Sequence, residues 1–187
     1  NILMTAAGHV KLADFAMCKE GIAADVLATT FCGTPDYIAP EIVEGEAYGC
    51  AVDWWAFGVL LYEMVCGQPP FEGDDEDDLF EAILYDDPTF PPKILPDQKS
   101  CISGLLTRNP KKRLGACAEK SGEDLAAHEY FKSVDWGKIE RMEVKPPFVP
   151  KISDDPKDTS NFHHEFTKEA PTLSPTSPGA LKTINQE

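Results

Sequence analysis

The sequence is short of positive charge. Its 187 residues include 17 lysine and arginine residues against 32 aspartate and glutamate residues, a formal net charge of −15. A surface of that sign repels the phosphates of nucleic acid and the anionic face of a membrane, so neither is expected to bind this chain directly. The same charge favours basic partners, including basic peptides, although an acidic surface also serves simply to keep a domain in solution.

Long apolar runs and clustered cysteines are missing as well. The longest apolar-rich stretch, residues 51–67, is interrupted by Asp53 and Glu63 and falls short of the roughly 18 residues of a membrane span. The six cysteines lie far apart without a Cys-x-x-Cys pair, which predicts neither a zinc site nor a disulfide framework. No basic region followed by an apolar run opens the chain, so no signal peptide is predicted. We therefore expect reduced thiols and a cytoplasmic protein.

Hydrophobic patterning predicts a mainly α-helical domain with a short β-hairpin and an extended carboxyl-terminal tail. Residues 2–15 combine a short apolar run, a turn and a period-two alternation, as in a hairpin. Residues 51–65 are apolar on nearly every face, which predicts a buried helix that ends at Gly67. The proline, serine and threonine content beyond Trp136 predicts the tail. Three further helices are predicted: residues 79–84, capped by the acidic run 74–78, residues 98–106 and residues 124–131.

Four short motifs follow one another in an order that chance does not produce. They are Asp14-Phe15-Ala16, then Gly33-Thr34-Pro35-Asp36-Tyr37-Ile38-Ala39-Pro40-Glu41, then Asp53-Trp54-Trp55-Ala56-Phe57-Gly58, and finally Arg113. At these residues the sequence resembles the eukaryotic protein kinases. The segments Val52-Asp53-Trp54-Trp55 and Val144-Lys145-Pro146-Pro147-Phe148 are similar to the protein kinase C family, in particular to its novel epsilon and eta types.

The resemblance implies a fold and a division of the chain. Residues 1–131 would form the carboxyl-terminal lobe of the protein kinase fold, and residues 132–187 the tail of the AGC kinases. The glycine-rich loop, the strand lysine and the catalytic aspartate of the family would all precede Asn1. The 187 residues by themselves are therefore expected to be inactive.

ATP and Mg²⁺ are the cofactors that the resemblance implies. Asp14 would be the carboxylate ligand of the metal, and Asn1 would supply an amide oxygen. Both are the oxygen ligands that Mg²⁺ prefers. In the tail, Phe162 matches the phenylalanine that packs against the adenine pocket, although the aspartate usual after it is replaced by His163.

The expected substrates are proteins or peptides with basic residues. By the same resemblance, Thr34 contacts the catalytic base, and Glu63 anchors a substrate arginine. A carboxylate in an otherwise apolar helix also needs a polar partner on physical grounds. The pocket for the residue after the phosphoacceptor would be lined by Phe31, Pro35 and Ile38, which favours a hydrophobic residue there.

Two positions resemble phosphorylation sites and three resemble structural residues. Thr30 matches the activation-loop phosphosite, on which an upstream kinase would act, and Ser174 matches the turn phosphosite of the tail. A phosphate brings roughly −1.5 to −2 charges and can order a loop by pairing with cations. The structural residues are Glu41, Asp53 and Arg113: the first and last form a buried ion pair, and Asp53 accepts hydrogen bonds from the catalytic loop.

One departure from the family leaves other functions open. Ala16 stands where the family has glycine, and an alanine at a positive φ would cost on the order of 1 kcal/mol. The alternatives to an active kinase are a pseudokinase or a truncated, non-catalytic protein-binding module. Recruitment to a membrane would depend on regulatory domains outside this chain.

Overall fold

The fold is mainly helical and has two parts. The computed structural model describes residues 1–22, 26–116, 122–155 and 157–170. One compact unit consists of residues 14–144, and the other consists of residues 1–13 with residues 145–187. Among the described helices, none combines the length and the apolar character that crossing a bilayer requires.

The larger unit contains six of the described helices, joined by turns and loops. They are α1 (Pro40–Val43), α2 (Ala51–Cys66), α3 (Glu76–Tyr85), α4 (Pro96–Leu105), α5 (Glu123–Ala126) and α6 (Trp136–Glu140), with 3₁₀ turns at Pro35–Tyr37 and Glu129–Phe131.

Helix α2 is the centre of the core. Trp55, Val59 and Tyr62 are completely or almost completely buried, as expected for a helix that is apolar on nearly every face. The helix ends at Gly67, whose φ of 80° is left-handed and whose N–H donates to the Glu63 carbonyl at 2.8 Å. Glycine adopts that conformation without strain, so it serves as the stop signal. The predicted helix and its end are confirmed.

Helix α4 packs directly against α2. A Cβ atom on Gly58 would lie 2.8 Å from the Leu105 Cβ and 3.0 Å from a methyl carbon of Leu106. The glycine is therefore required by the close approach of the two helices. The buried residues around this contact share one cluster: Ala39, Trp55, Val59, Leu61, Tyr62, Phe71, Leu79, Ala82, Ile83, Cys101, Ile102, Leu105, Leu106 and Leu125.

Helix α3 is capped at both ends by polar side chains. The Asp75 carboxylate accepts from the Asp78 N–H at 3.0 Å, and further acidic residues lie in the first turn, where the helix dipole favours negative charge. At the other end, the Arg108 guanidinium donates to the carbonyls of Ile83, at 3.0 Å, and Asp86. The predicted capping role of the acidic run is confirmed.

The helix predicted over residues 124–131 is wrong in its length. Helix α5 stops at Ala126, and His128 is extended, with φ −63° and ψ 145°. Its Nδ1 accepts from the Tyr130 N–H at 3.1 Å, which starts a separate 3₁₀ turn. A side chain that satisfies the backbone locally thus interrupts a segment whose apolar spacing indicates one helix.

The smaller unit contains the predicted hairpin. Strands β1 (Ile2–Met4) and β2 (Val10–Leu12) pair antiparallel, with Ile2 opposite Leu12. The turn between them needs Gly8, because its φ is 88° and a Cβ there would lie 2.3 Å from the Phe148 carbonyl oxygen. The described tail is largely irregular and ends with α7 (His164–Thr167).

Substitution of Gly58 by alanine tests the α2–α4 contact. The added Cβ meets Leu105 close to its backbone, where a helix has little room to yield, so we expect the free energy of unfolding to fall by about 1–3 kcal/mol. Urea denaturation measures it. The control is Gly137→Ala, because the atom nearest to a Cβ there is the mobile end of Arg141, at 3.2 Å. Equal stability of the two variants would contradict the close contact.

Candidate active site

Asp14 adopts an unusual backbone conformation. Its φ is 62°, in the left-handed region that aspartate tolerates better than most non-glycine residues. The side chain is exposed, and its Oδ1 accepts from the Ala16 N–H at 3.4 Å. Strained residues of this kind concentrate at functional sites.

The strain expected at Ala16 is absent. Among the described non-glycine residues, positive φ occurs at Asp14 and Met142 and not at Ala16. The expectation of a conformational cost at Ala16 is therefore wrong, because the backbone places the left-handed turn two residues earlier. An alanine is compatible with this turn.

Asp14 and Asp53 line the same cavity. Asp53 lies in the first turn of α2 and is partly exposed, yet the surrounding protein removes enough water to raise the pKa of its carboxyl group. The cavity has a volume of about 420 Å³. Its wall includes these two carboxylates, Lys19, Cys32 and Tyr48.

The remaining predicted nucleotide-site residues lie in the smaller unit. The Asn1 carbonyl accepts from the Ala13 N–H at 2.9 Å, next to β1. Phe162 is exposed, and its neighbour Asn161 donates to the Lys151 carbonyl at 2.8 Å. The roles of Asn1 and Phe162 stay predictions, and Ser174 lies outside the described residues.

Thr30 lies on a segment that is attached to the rest of the larger unit. Ala28 and Tyr48 form a β-bridge, with N···O distances of 2.8 and 2.9 Å. The Tyr48 hydroxyl also donates to the Thr30 carbonyl at 2.7 Å. The Thr30 side chain is exposed, as a phosphosite requires. The sequence offers no sign of these attachments, because Tyr48 belongs to none of the motifs.

The predicted substrate-pocket residues differ in burial. Ile38 is buried, Pro35 is partly buried at the start of a 3₁₀ turn, and Thr34 is exposed just before it. Phe31 is exposed and contacts the ring of Phe80 edge-on, at 5.9 Å between centroids. Phe80, on α3, extends the apolar surface beyond Phe31 and could not be identified from the motifs.

Glu63 has a partner in Tyr37. The Tyr37 hydroxyl donates to Glu63 Oε2, and this hydrogen bond, together with partial burial, raises the pKa of Tyr37 to about 12. The phenol therefore stays protonated and remains a donor at neutral pH. Tyr37 lies inside the Gly33–Glu41 motif, but its spacing gives no hint of the contact with α2.

Glu41 and Arg113 form a buried, two-pronged ion pair. Arg113 Nη1 donates to Glu41 Oε1 at 2.7 Å, and Nη2 donates to Oε2 at 2.8 Å. The guanidinium also donates to the carbonyls of Ala51, Thr107 and Arg108, at 2.8, 2.9 and 3.0 Å. These contacts use all five N–H groups of an arginine, and the guanidinium lies 5.3 Å from the Trp55 ring centroid.

Glu41→Gln is expected to destabilise the larger unit strongly. It keeps the shape of the side chain but leaves the Arg113 charge buried without a counter-ion, a loss on the order of 3–5 kcal/mol in the free energy of unfolding. Chemical denaturation measures the loss. Glu143→Gln, which breaks the exposed pair with Arg141, is the control and should cost less than about 1 kcal/mol. Similar losses would mean that the buried pair has no special role.

Comparison with known proteins agrees with this geometry. Residues 1–131 match the family described as "Protein kinase domain", and residues 154–187 match "Protein kinase C terminal domain". "Protein kinase C-like 1B" of Caenorhabditis elegans is 53% identical over the whole chain, which covers 26% of that protein. "Protein kinase C epsilon type" of Oryctolagus cuniculus is also 53% identical, with 25% of it covered. "Protein kinase C eta type" of Mus musculus is 49% identical, with 27% covered.

The chain spans about a quarter of the length of these relatives. The similarity nevertheless extends over the whole chain. The chain therefore belongs to the protein kinase family, is similar over its whole length to proteins of the protein kinase C type, and has the mainly helical fold predicted for a carboxyl-terminal lobe.

Proposed function

We propose that this chain is the carboxyl-terminal part of the catalytic region of a protein serine/threonine kinase. The whole enzyme would transfer the γ-phosphoryl group of ATP to serine or threonine side chains that have basic residues nearby. The observation that carries the proposal is the strained, exposed Asp14 on the wall of a cavity shared with Asp53. Strain of this kind is maintained where a side chain has a function.

The donor atoms of Asp14 and Asn1 have the chemistry that magnesium prefers. Asp14 offers a carboxylate whose backbone turn is stabilised by the Ala16 N–H, and Asn1 offers an amide oxygen, both suitable for Mg²⁺. When bound, the metal supplies positive charge to the β- and γ-phosphates. The role of the chain in phosphoryl transfer is proposed to be mostly positioning. Asp14 is the residue proposed to hold the metal-bound phosphates of the nucleotide in place. Phe162 is proposed to pack against the adenine.

Glu63 is proposed to bind a basic side chain of the substrate. Tyr37 donates to Oε2, which restrains the carboxylate, and a substrate arginine is proposed to bind the same carboxylate, because its planar guanidinium suits a carboxylate partner. The net charge of −15 draws basic peptides towards this surface. The accessible apolar surface of Phe31 and Pro35 suits a hydrophobic residue after the phosphoacceptor, and the buried Ile38 is proposed to support that pocket.

Control of the enzyme is proposed to act through phosphorylation. Thr30 is exposed on a segment fixed by Tyr48, so a phosphate there needs to order only a short length of chain. Lys19 lines the neighbouring cavity and is a candidate cation for the phosphate. An upstream kinase would modify Thr30, and Ser174 is proposed as a second site. Membrane recruitment would require regulatory domains outside this chain.

Asp14→Asn in the full-length protein tests the proposed chemistry. The variant keeps the volume of the side chain and the left-handed turn but removes the charge, so kcat for a basic peptide should fall on the order of 100-fold or more. Initial rates with radiolabelled ATP give the value. Asp154→Asn, an exposed tail residue, is the matched control and should behave like the wild type. A near-normal kcat for Asp14→Asn would reduce Asp14 to a turn residue.

Thr30→Ala and Thr29→Ala place the phosphosite. Both threonines are exposed. They differ in their backbone contacts, because the Tyr48 hydroxyl donates to the carbonyl of Thr30. Thr30→Ala should lower activity at least about tenfold, equivalent to about 1.4 kcal/mol in the barrier, whereas Thr29→Ala should change little. Both are assayed on a basic peptide with a hydrophobic residue after the acceptor. A larger loss in Thr29→Ala, or no loss in either, would contradict the assignment.

A further inference from the structure

Tyr48, which belongs to none of the sequence motifs, connects two regions of the larger unit. It is buried, with 7% of its surface exposed, in the loop before α2. Its backbone forms the bridge to Ala28, with Ala28 N to Tyr48 O at 2.8 Å and Tyr48 N to Ala28 O at 2.9 Å. This bridge holds the chain two residues before Thr30.

The hydroxyl of Tyr48 makes a second, independent attachment. It donates to the Thr30 carbonyl at 2.7 Å. The Cys32 sulfur lies 3.8 Å from the Tyr48 hydroxyl oxygen. Because the hydroxyl hydrogen points to the carbonyl, the Cys32 thiol is the donor in the second contact. Burial raises the pKa of Tyr48, so the group stays protonated at neutral pH. The backbone from Thr30 to Cys32 is thus held by one side-chain oxygen.

The ring of Tyr48 contributes to the other side of the connection. It belongs to a small buried cluster with Ile38 and Ile42, against which Ala28, Val43 and Val52 pack. Ile38 follows the 3₁₀ turn that begins at Pro35, and both are proposed pocket residues. Apolar side chains in close contact move together, because an interior at crystal-like density has no free volume to absorb a shift. A displacement of the Tyr48 ring would therefore reach Ile38.

We propose that Tyr48 is a positioning residue that links Thr30 to the substrate pocket, through its hydroxyl on the Thr30 carbonyl and its ring in the buried cluster that contains Ile38. The inference rests on the proposed kinase function and adds a regulatory connection to the same site. The hydroxyl sets the backbone position of the phosphorylated threonine, and the ring transmits that position to the pocket for the residue after the phosphoacceptor.

Tyr48→Phe in the full-length protein isolates the hydroxyl. It leaves the backbone bridge and the ring packing unchanged, so the fold should be retained. The matched control is Tyr62→Phe, because the Tyr62 hydroxyl also donates to a backbone carbonyl, that of Thr89, far along the chain from Thr30. Circular dichroism and thermal unfolding of both variants establish that each is folded. Each protein is then compared by amide hydrogen exchange, by the rate at which a serine/threonine phosphatase removes phosphate from Thr30, and by kcat and KM for a basic peptide.

Loss of one hydrogen bond should speed amide exchange over residues 30–33 about fivefold and dephosphorylation of Thr30 by a similar factor. The KM for a peptide with a hydrophobic residue after the acceptor should rise about fivefold, with kcat changed less than about twofold. Tyr62→Phe should match the wild type in all three measurements.

Two results would count against these ideas in different ways. Exchange and KM that are unchanged in Tyr48→Phe, with an active wild type that carries phosphate on Thr30, would overturn the role of Tyr48 and leave the kinase function intact. A wild-type protein with no transferase activity and no phosphate on Thr30 would overturn the proposed function, while the exchange rates would still decide whether the Tyr48 hydroxyl holds residues 30–33.

Discussion

The five N–H groups of Arg113 donate to three parts of the larger unit: Glu41 in α1, the start of α2 and the chain after α4. Glu41 is the anion that makes the burial of this charge possible. The carbonyl of Ala51 begins α2, and the carbonyls of Thr107 and Arg108 follow α4, so one guanidinium fixes the end of one helix against the start of another. Glu41 lies in α1 and is the last residue of the Gly33–Glu41 motif. A buried charge is stable only with its partner and all its hydrogen bonds in place. The position of the candidate site therefore depends on this pair.

Residues 26–41, which carry Thr30 and the proposed substrate pocket, are attached to the rest of the larger unit at three points of different chemistry. Tyr48 holds it near Thr30 through a β-bridge and a hydroxyl, Tyr37 reaches Glu63 on α2, and Glu41 joins Arg113. A segment held at both ends of the proposed pocket can respond to a phosphate without first having to fold.

Charge and strain have separate roles in the proposed mechanism. The acidic surface concentrates basic peptides over a long range, whereas Glu63 acts at close range because Tyr37 fixes its carboxylate. Asp14 is held in a left-handed turn, and Ala16 carries none of that strain. The alanine in place of the family glycine is therefore compatible with the backbone of this turn.

The sequence by itself determined the family, the central helix with its glycine stop, the hairpin and the capped start of α3, because these depend on local periodicity, on φ at single glycines and on ordered motifs. It also pointed to the pairing of Glu41 with Arg113, through the resemblance. Only the tertiary structure decided that Tyr37 is the partner of Glu63, that Phe80 extends the surface at Phe31, and that Tyr48 holds the Thr30 carbonyl while sharing a buried cluster with Ile38. The contacts of Tyr37, Phe31 and the Tyr48 hydroxyl each join residues that are 18 or more positions apart in the sequence. The Tyr48 cluster brings together residues from three separate segments. Their geometry follows from how α1, α2, α3 and the 3₁₀ turn at Pro35–Tyr37 pack together, which no local pattern specifies.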